Sequence, residues 1–337
     1  MSLRSRRSDR RRASGPGVVL RNVGPAIVLL GAIVACGGGG GSSSPIPTSS
    51  PVTQAAIVDV LPSPGTIYFG AFSNPTQVTP PPIASLTQFE AQIGRTVALT
   101  IHYYGFYDTF PGPYEANDLA NGRIPIDSWD CQYPNAAIAA GNQDALITKR
   151  AQALKAYGHP VFLRYMWEMN LPATTSSRQS CYDPNTDAPN GVFSAAEFVA
   201  AWVHMRTIFL QQGVTNVVWL WNPSGGSDPG SYYPGASQVD WVGFDKYDDT
   251  STSFAETYAQ PYAWLAPIGK PMLVGETGVP AAIQPEFFAA AVATLQSQFP
   301  LIKGYVYFNA NSWVVGGQGL AAFKAMAADP YFSGREP

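Results

Sequence analysis

In VFLRYMWE, Val161 to Glu168, an apolar and aromatic run is interrupted by one cation, Arg164, and closes on one acid, Glu168. MLVGE, Met272 to Glu276, repeats the pattern and closes on Glu276. Short runs of this composition read as buried strands, which are nearly continuously apolar when a parallel sheet is covered on both faces. Six more occur at Ile67–Phe72, Val97–Tyr103, Ile124–Trp129, Val217–Trp221, Trp241–Tyr247 and Tyr305–Phe308. Helical patterns lie between most of them. Three open on a serine placed three residues before Glu or Gln, namely Ser85 with Gln88, Ser194 with Glu197 and Ser253 with Glu256. The alternation predicts an α/β fold, a (β/α)8 TIM barrel occupying residues 65–337. The weakest stretch is Asp108–Gly122, where only a short helix around Tyr114–Leu119 is expected.

Acids at the C-terminal ends of two strands of one barrel meet at one mouth. Set roughly 5 Å apart, two carboxyl groups can serve as the acid/base and the nucleophile of a retaining glycosidase. Arg164 is four residues before Glu168, so the strand period turns both inward. His102 is the one histidine expected at the mouth; His159 and His204 read as structural. Histidines this scattered give no zinc spacing, so neither a metal nor a cofactor is expected.

The first residues predict an address. Seven arginines precede an apolar run, Ala26–Val34, too short to span a bilayer. Residues 1–35 read as a lipoprotein-type signal peptide, with Cys36 as the lipidated first mature residue. Residues 36–64 are rich in Gly, Ser and Pro and read as a flexible tether. Removing residues 1–35 takes seven of 20 basic residues and one of 23 acids, leaving 13 against 22 and a net charge of −9. That balance argues against a nucleic-acid partner. Cys131 and Cys181 remain, and a disulfide is expected in an oxidising compartment, with two buried thiols as the alternative. The expected protein is exported, lipid-anchored to a bacterial membrane and monomeric.

Five blocks in order carry a resemblance. They are FEAQIGR (Phe89–Arg95), YGHPVFLRYMWEMN (Tyr157–Asn170), TNVVWLWNP (Thr215–Pro223), YYPG (Tyr232–Gly235) with VDWVGFDKY (Val239–Tyr247), and KPMLVGETG (Lys270–Gly278). Together they resemble glycoside hydrolase family 26, whose best-known members are bacterial β-mannanases. The resemblance supports counting eight strands. By position it implies Glu168 as acid/base, Glu276 as nucleophile, Arg164 beside the nucleophile and Tyr247 as a tyrosine reaching it. One position departs: many family mannanases carry histidine before the acid/base, and here it is Trp167.

Sugar rings present apolar faces, so aromatic platforms are expected at strand ends: Trp129, Trp167, Trp221 and Trp313. Asn170 and Asn222 are candidates for sugar hydroxyls or for the acid/base itself. The expected function is endo-β-1,4-mannanase-like hydrolysis of a β-linked polysaccharide. The alternatives are β-1,3-xylan, β-glucan or an exopolysaccharide as substrate, or a non-catalytic surface glycan-binding lipoprotein.

Overall fold

The computed structural model describes residues 58–175, 180–248 and 253–335. The signal peptide, Cys36 and most of the tether lie outside the described residues.

Eight parallel strands close into a barrel in chain order. They are β1 (Tyr68–Asn74), β2 (Leu99–Tyr104), β3 (Ile124–Trp129), β4 (Val161–Tyr165), β5 (Val217–Trp221), β6 (Trp241–Tyr247), β7 (Met272–Gly278) and β8 (Ile302–Ala310). The ring closes where β8 pairs β1 from Tyr68↔Gly304 to Asn74↔Ala310. Among the helices between them are α1 (Ile83–Ile93), α2 (Pro113–Ala120), α3 (Asn135–Ala139) and α4 (Asp144–Tyr157). They continue with α5 (Ala195–Gln211), α6 (Phe254–Leu265), α7 (Gln284–Gln298) and α8 (Gly317–Ala327). This is the expected TIM barrel. The weak segment does form its short helix, α2, begun by Pro113 at the first helical position.

Two layers of core follow from the period of two along each strand. Leu99, Ile101, Ile126, Phe162, Val218, Leu220, Leu273 and Val306 fill the barrel. Phe69, Leu163, Trp219, Phe244, Val274 and Tyr305 point outward and pack under the helices. Residues packed against the barrel are found ahead of the Gly65 boundary read from composition. The Val58 amide donates to the Thr215 carbonyl at 2.9 Å. Val60 is buried in the inner core, and its carbonyl accepts the Tyr68 hydroxyl at 2.8 Å. Two β-branched side chains in a polar stretch thus cover the apolar floor at the strands' N-terminal ends.

Two of the three serine caps form. Ser194 accepts from the Glu197 amide, and Ser253 makes a full capping box with Glu256. Ser85 does not cap. Helix α1 starts earlier, after Pro82, and Ser85 is buried inside it.

Candidate active site

Glu276 owes its position to an irregularity in β7. Phe244 pairs with Val274, but the next residue, Asp245, pairs with Glu276, so Gly275 is an extra residue in β7. Such a bulge re-aims the side chain after it. Without the bulge, the inward period through Leu273 and Gly275 would turn Glu276 toward the helices. With it, Glu276 reaches the barrel mouth and Gly275 lies inward against Asn222 and Asp245.

Three donors hold the Glu276 carboxylate. Oε1 accepts the Tyr103 hydroxyl at 2.7 Å and a short bond from Arg164 Nη2, while Oε2 accepts the Tyr247 hydroxyl at 2.7 Å. Arg164 is fully buried on β4. Its Nε donates to Ser128 Oγ at 2.6 Å, across the Ser128↔Arg164 register of β3 and β4. Its Nη1 reaches the Asp245 carboxylate at 3.3 and 3.4 Å. Burial opposes the guanidinium charge, but Glu276 and Asp245 outweigh it and raise the Arg164 pKa, so the cation persists. Burial and the Glu276 charge push the Tyr103 and Tyr247 phenols well above their ordinary value of 10. Both therefore remain donors.

Asp245 is the second carboxyl against Arg164, and the two acids are not equivalent. Burial first, then the charges of Glu276 and Glu168, raise the Asp245 pKa well above its ordinary value, against the pull of Arg164. The proton is thus favoured on Asp245. Arg164 is left as the counter-charge of Glu276.

Glu168 stands at the same mouth, past the end of β4. The expected strand to Glu168 stops at Tyr165, and the chain turns through Met166 (φ 46°) and Glu168 (φ 55°). Left-handed backbone at two bulky residues is strained and persists only where its surroundings hold it. Here the Glu168 amide donates to the Asn222 carbonyl at 2.8 Å, just past β5. The turn, not strand parity, therefore directs Glu168. That its charge acts on Asp245 puts it within electrostatic reach of the Glu276 network.

The expected aromatics divide by strand face. Trp313 lies half-buried at the mouth, stacked on Tyr247 at 5.5 Å and seated against Gly278. Trp167 lies there too, 5.2 Å from the Tyr103 ring and with the Arg164 guanidinium 5.4 Å from its own centroid. Trp129 and Trp221 are not platforms. Trp129 is fully buried on the outer face, stacked on Phe106, and donates its indole N–H to the Phe106 carbonyl at 3.1 Å. Trp221 is buried on the same face against Tyr233 at 5.0 Å. The period already held this result, because Ser128 and Leu220 point inward and their neighbours must point out.

His102 is displaced for the same reason. Its ring faces outward and meets Asp118 of α2 at 2.6 Å, while Tyr103, the next residue, faces Glu276. Asn170 is also not positioned for sugar. Its amide nitrogen donates to the Ser224 carbonyl at 2.9 Å, and its oxygen accepts the Ser224 amide at 2.8 Å. It fastens the turn after β4 to the loop after β5. The Asn222 side chain is buried below the mouth, between Gly243 and Gly275. Cys131 and Cys181 form the expected disulfide, with Cα atoms 5.8 Å apart, joining the loop after β3 to the long segment after β4. Tyr103, Ser128 and Asp245 were missed by sequence reasoning. The alternation that put Arg164 inward could have found Ser128 and Tyr103.

Fold and site together define a class: a (β/α)8 barrel with two glutamates at the mouth, one clamped by an arginine and two tyrosines. Residues 202–303 match the family model described as glycosyl hydrolase family 26, and the chain resembles the β-mannanase-like members of that family. Endoglucanase H of Acetivibrio thermocellus is 25% identical over 269 residues, 73% of this chain and 29% of that protein. Mannan endo-1,4-beta-mannosidase A and B of Caldalkalibacillus mannanilyticus is 29% identical over 118 residues, 34% of this chain and 22% of that protein. The chain thus spans less than a third of the length of either relative. Among solved structures, the YdhT protein from Bacillus subtilis superposes with a TM-score of 0.58 at 18% identity, over 80% of this chain and 87% of that one. That likeness is one of fold.

Proposed function

We propose that this chain is a retaining glycoside hydrolase of β-linked polysaccharides, with endo-β-1,4-mannanase-like action as the leading reading. The observation that carries it is the clamp on Glu276, whose two oxygens accept from Arg164, Tyr103 and Tyr247 while Glu168 stands at the same mouth. A carboxylate fixed by donors beside a permanent cation suits a nucleophile. In the first step a Glu276 oxygen bonds to the anomeric carbon as the glycosidic C–O bond breaks, and the Glu168 proton passes to the departing oxygen. In the second, water attacks the same carbon, Glu168 takes its proton, and Glu276 leaves as carboxylate. Asp245 holds a proton and leaves the Arg164 charge to the nucleophile.

A β-glucan is the second reading of substrate. It is favoured by the relative matched over 73% of this chain being named an endoglucanase, and by Trp167, in contact with Tyr103, standing where many family mannanases carry histidine. The test is release of reducing ends from mannan, glucomannan, β-1,3-xylan, β-glucan and bacterial exopolysaccharides by the full chain, beside Glu168→Gln and Glu276→Ala. One polymer should be cleaved, with losses of about a thousandfold or more in both variants. Binding without turnover on every polymer would favour a glycan-binding protein instead. The arginine-rich start and Cys36 support export and lipid anchoring. The full chain should then fractionate with membranes, and Cys36→Ser should release it; an unchanged distribution would sink the anchor.

A further inference from the structure

A crevice lies behind the wall of the cleft, outside β1 and β2, between α1 and α2. One side is Leu86 of α1 and the proline run before it; the other is Tyr114 and Asn117 of α2. The Tyr114 hydroxyl donates to the Pro81 carbonyl at 2.8 Å, tying the two sides together. The His102 ring lies 5.0 Å from the Tyr114 ring, tilted by 34°. The cavity volume is about 80 Å3, room for roughly five to eight waters at ~10–15 Å3 each. That suits one small ring, not a chain segment.

The polar groups on its floor exclude charged occupants. Asp118 Oδ2 faces His102 Nε2 at 2.6 Å, and Oδ1 faces Arg123 Nη1 at 3.4 Å. Arg123 is buried and turned away, donating to both Glu90 oxygens and to Asn117 Oδ1. Among the described residues, an anion entering the crevice meets only Arg123 and His102, each already facing a carboxylate, and a cation meets a carboxylate engaged on both oxygens. The polar positions that remain for a ligand are the Nδ1 edge of His102 and the Asn117 amide nitrogen. An uncharged imidazole nitrogen can donate or accept according to its tautomer, and an amide nitrogen donates. Hydroxyl groups match both. Proline and tyrosine surfaces match the C–H face of a pyranose.

We propose that this crevice is a second glycan site that takes one neutral sugar ring, separate from the cleft on the other face of β2. The inference stands on the chemistry of the crevice and does not require turnover in the cleft. The chain has three histidines, so the His102 ring can be followed in heteronuclear NMR spectra of the full chain. The probes are mannobiose and cellobiose, with glucuronate as the anionic control. A neutral disaccharide should shift the His102 signals saturably and glucuronate should not. Leu86→Trp, which fills the crevice, should weaken that response at least tenfold. Asn117→Leu removes the donor without adding bulk and costs Arg123 one acceptor while both Glu90 oxygens still hold it; it should weaken the response severalfold and serves if the first variant does not fold.

Three outcomes overturn the proposal: His102 unmoved by neutral sugars, glucuronate bound as well as they are, or an unchanged response in the folded variants. The last would mean that binding in the cleft reaches His102 through Tyr103. Polymer cleavage is assayed separately, so its absence would sink the catalytic reading and leave this one standing.

Discussion

Tyr103 and Tyr104 are adjacent on β2, and each donates its hydroxyl to one glutamate on opposite faces of the barrel wall. Tyr103 serves Glu276 at the mouth, whereas Tyr104 serves Glu115, buried behind the wall. The same substitution at the two positions should therefore give opposite readouts. Tyr103→Phe removes a hydrogen bond to a charged group, worth about 1.5–3 kcal/mol. The hydroxyl also fixes the direction of the Glu276 oxygen, and a nucleophile left less well aimed loses part of its near-attack geometry. One order of magnitude in kcat/KM corresponds to about 1.4 kcal/mol, so a loss of roughly tenfold is expected. Stability should change little, because Arg164 still donates to the same oxygen. Tyr104→Phe deprives a buried acid of a donor at a cost of about 1–3 kcal/mol in stability. Each kcal/mol lowers Tm by roughly 2–4 °C in a domain of about this size, while kcat/KM should stay within about twofold. Steady-state kinetics on the polymer cleaved, with calorimetry on both variants, decides the matter. A catalytic loss in Tyr104→Phe at unchanged Tm, with Tyr103→Phe indistinguishable from the parent, would refute the assignment of faces on which the site rests.

Two further expectations concern the buried acids. Burial, then the charge of Glu115 and a hydrogen bond to it, raise the Asp127 pKa well above its ordinary 3.8, and no N–H or hydroxyl donor reaches either Asp127 oxygen. The folded-state value exceeds the unfolded one, so this stabilisation is complete in acid below the unfolded pKa and is lost as pH rises toward the folded value. Asp127→Asn keeps a donor to Glu115 and does not ionise. Its Tm relative to the parent should climb steadily from about pH 4 upward, and a difference that is flat with pH would count against the shared proton. At the bulge, Gly275→Ala would drive a Cβ into Asn222 Oδ1 and place it 2.6 Å from Asp245 Oδ1. Overpacking of this kind costs about 1–3 kcal/mol, and disturbing Asp245 should lower kcat as well. Parental Tm and turnover in that variant would show that the inward position of Gly275 is misjudged.

The barrel was legible because eight apolar runs separated by helical patterns leave few other ways to bury so much surface, and β3, β5 and β6 begin and end at the expected residues. Locating the two glutamates was equally direct, since each closes such a run. What the runs hide is direction. Period two sorts one face from the other only while the strand stays regular, and the site lies where regularity stops. At β4 the chain leaves the strand after Tyr165 and reaches Glu168 through two left-handed residues. At β7 the extra Gly275 reverses the face on which Glu276 emerges. Where the strands are regular, alternation carried correctly from Arg164 would have chosen Tyr103 over His102 and removed Trp129 and Trp221 from the platforms. Judged by residue type alone, histidine and tryptophan looked more functional than a tyrosine and an aspartate. Asp245 was the least visible because its role is electrostatic. Its effect arises only when Arg164, from a strand two places away in the barrel, and Glu276, from the adjacent strand, converge on it in the buried interior. Only then is a proton favoured on Asp245. A sequence names the two acids and the one base, but the raised proton affinity of Asp245 belongs to the folded mouth.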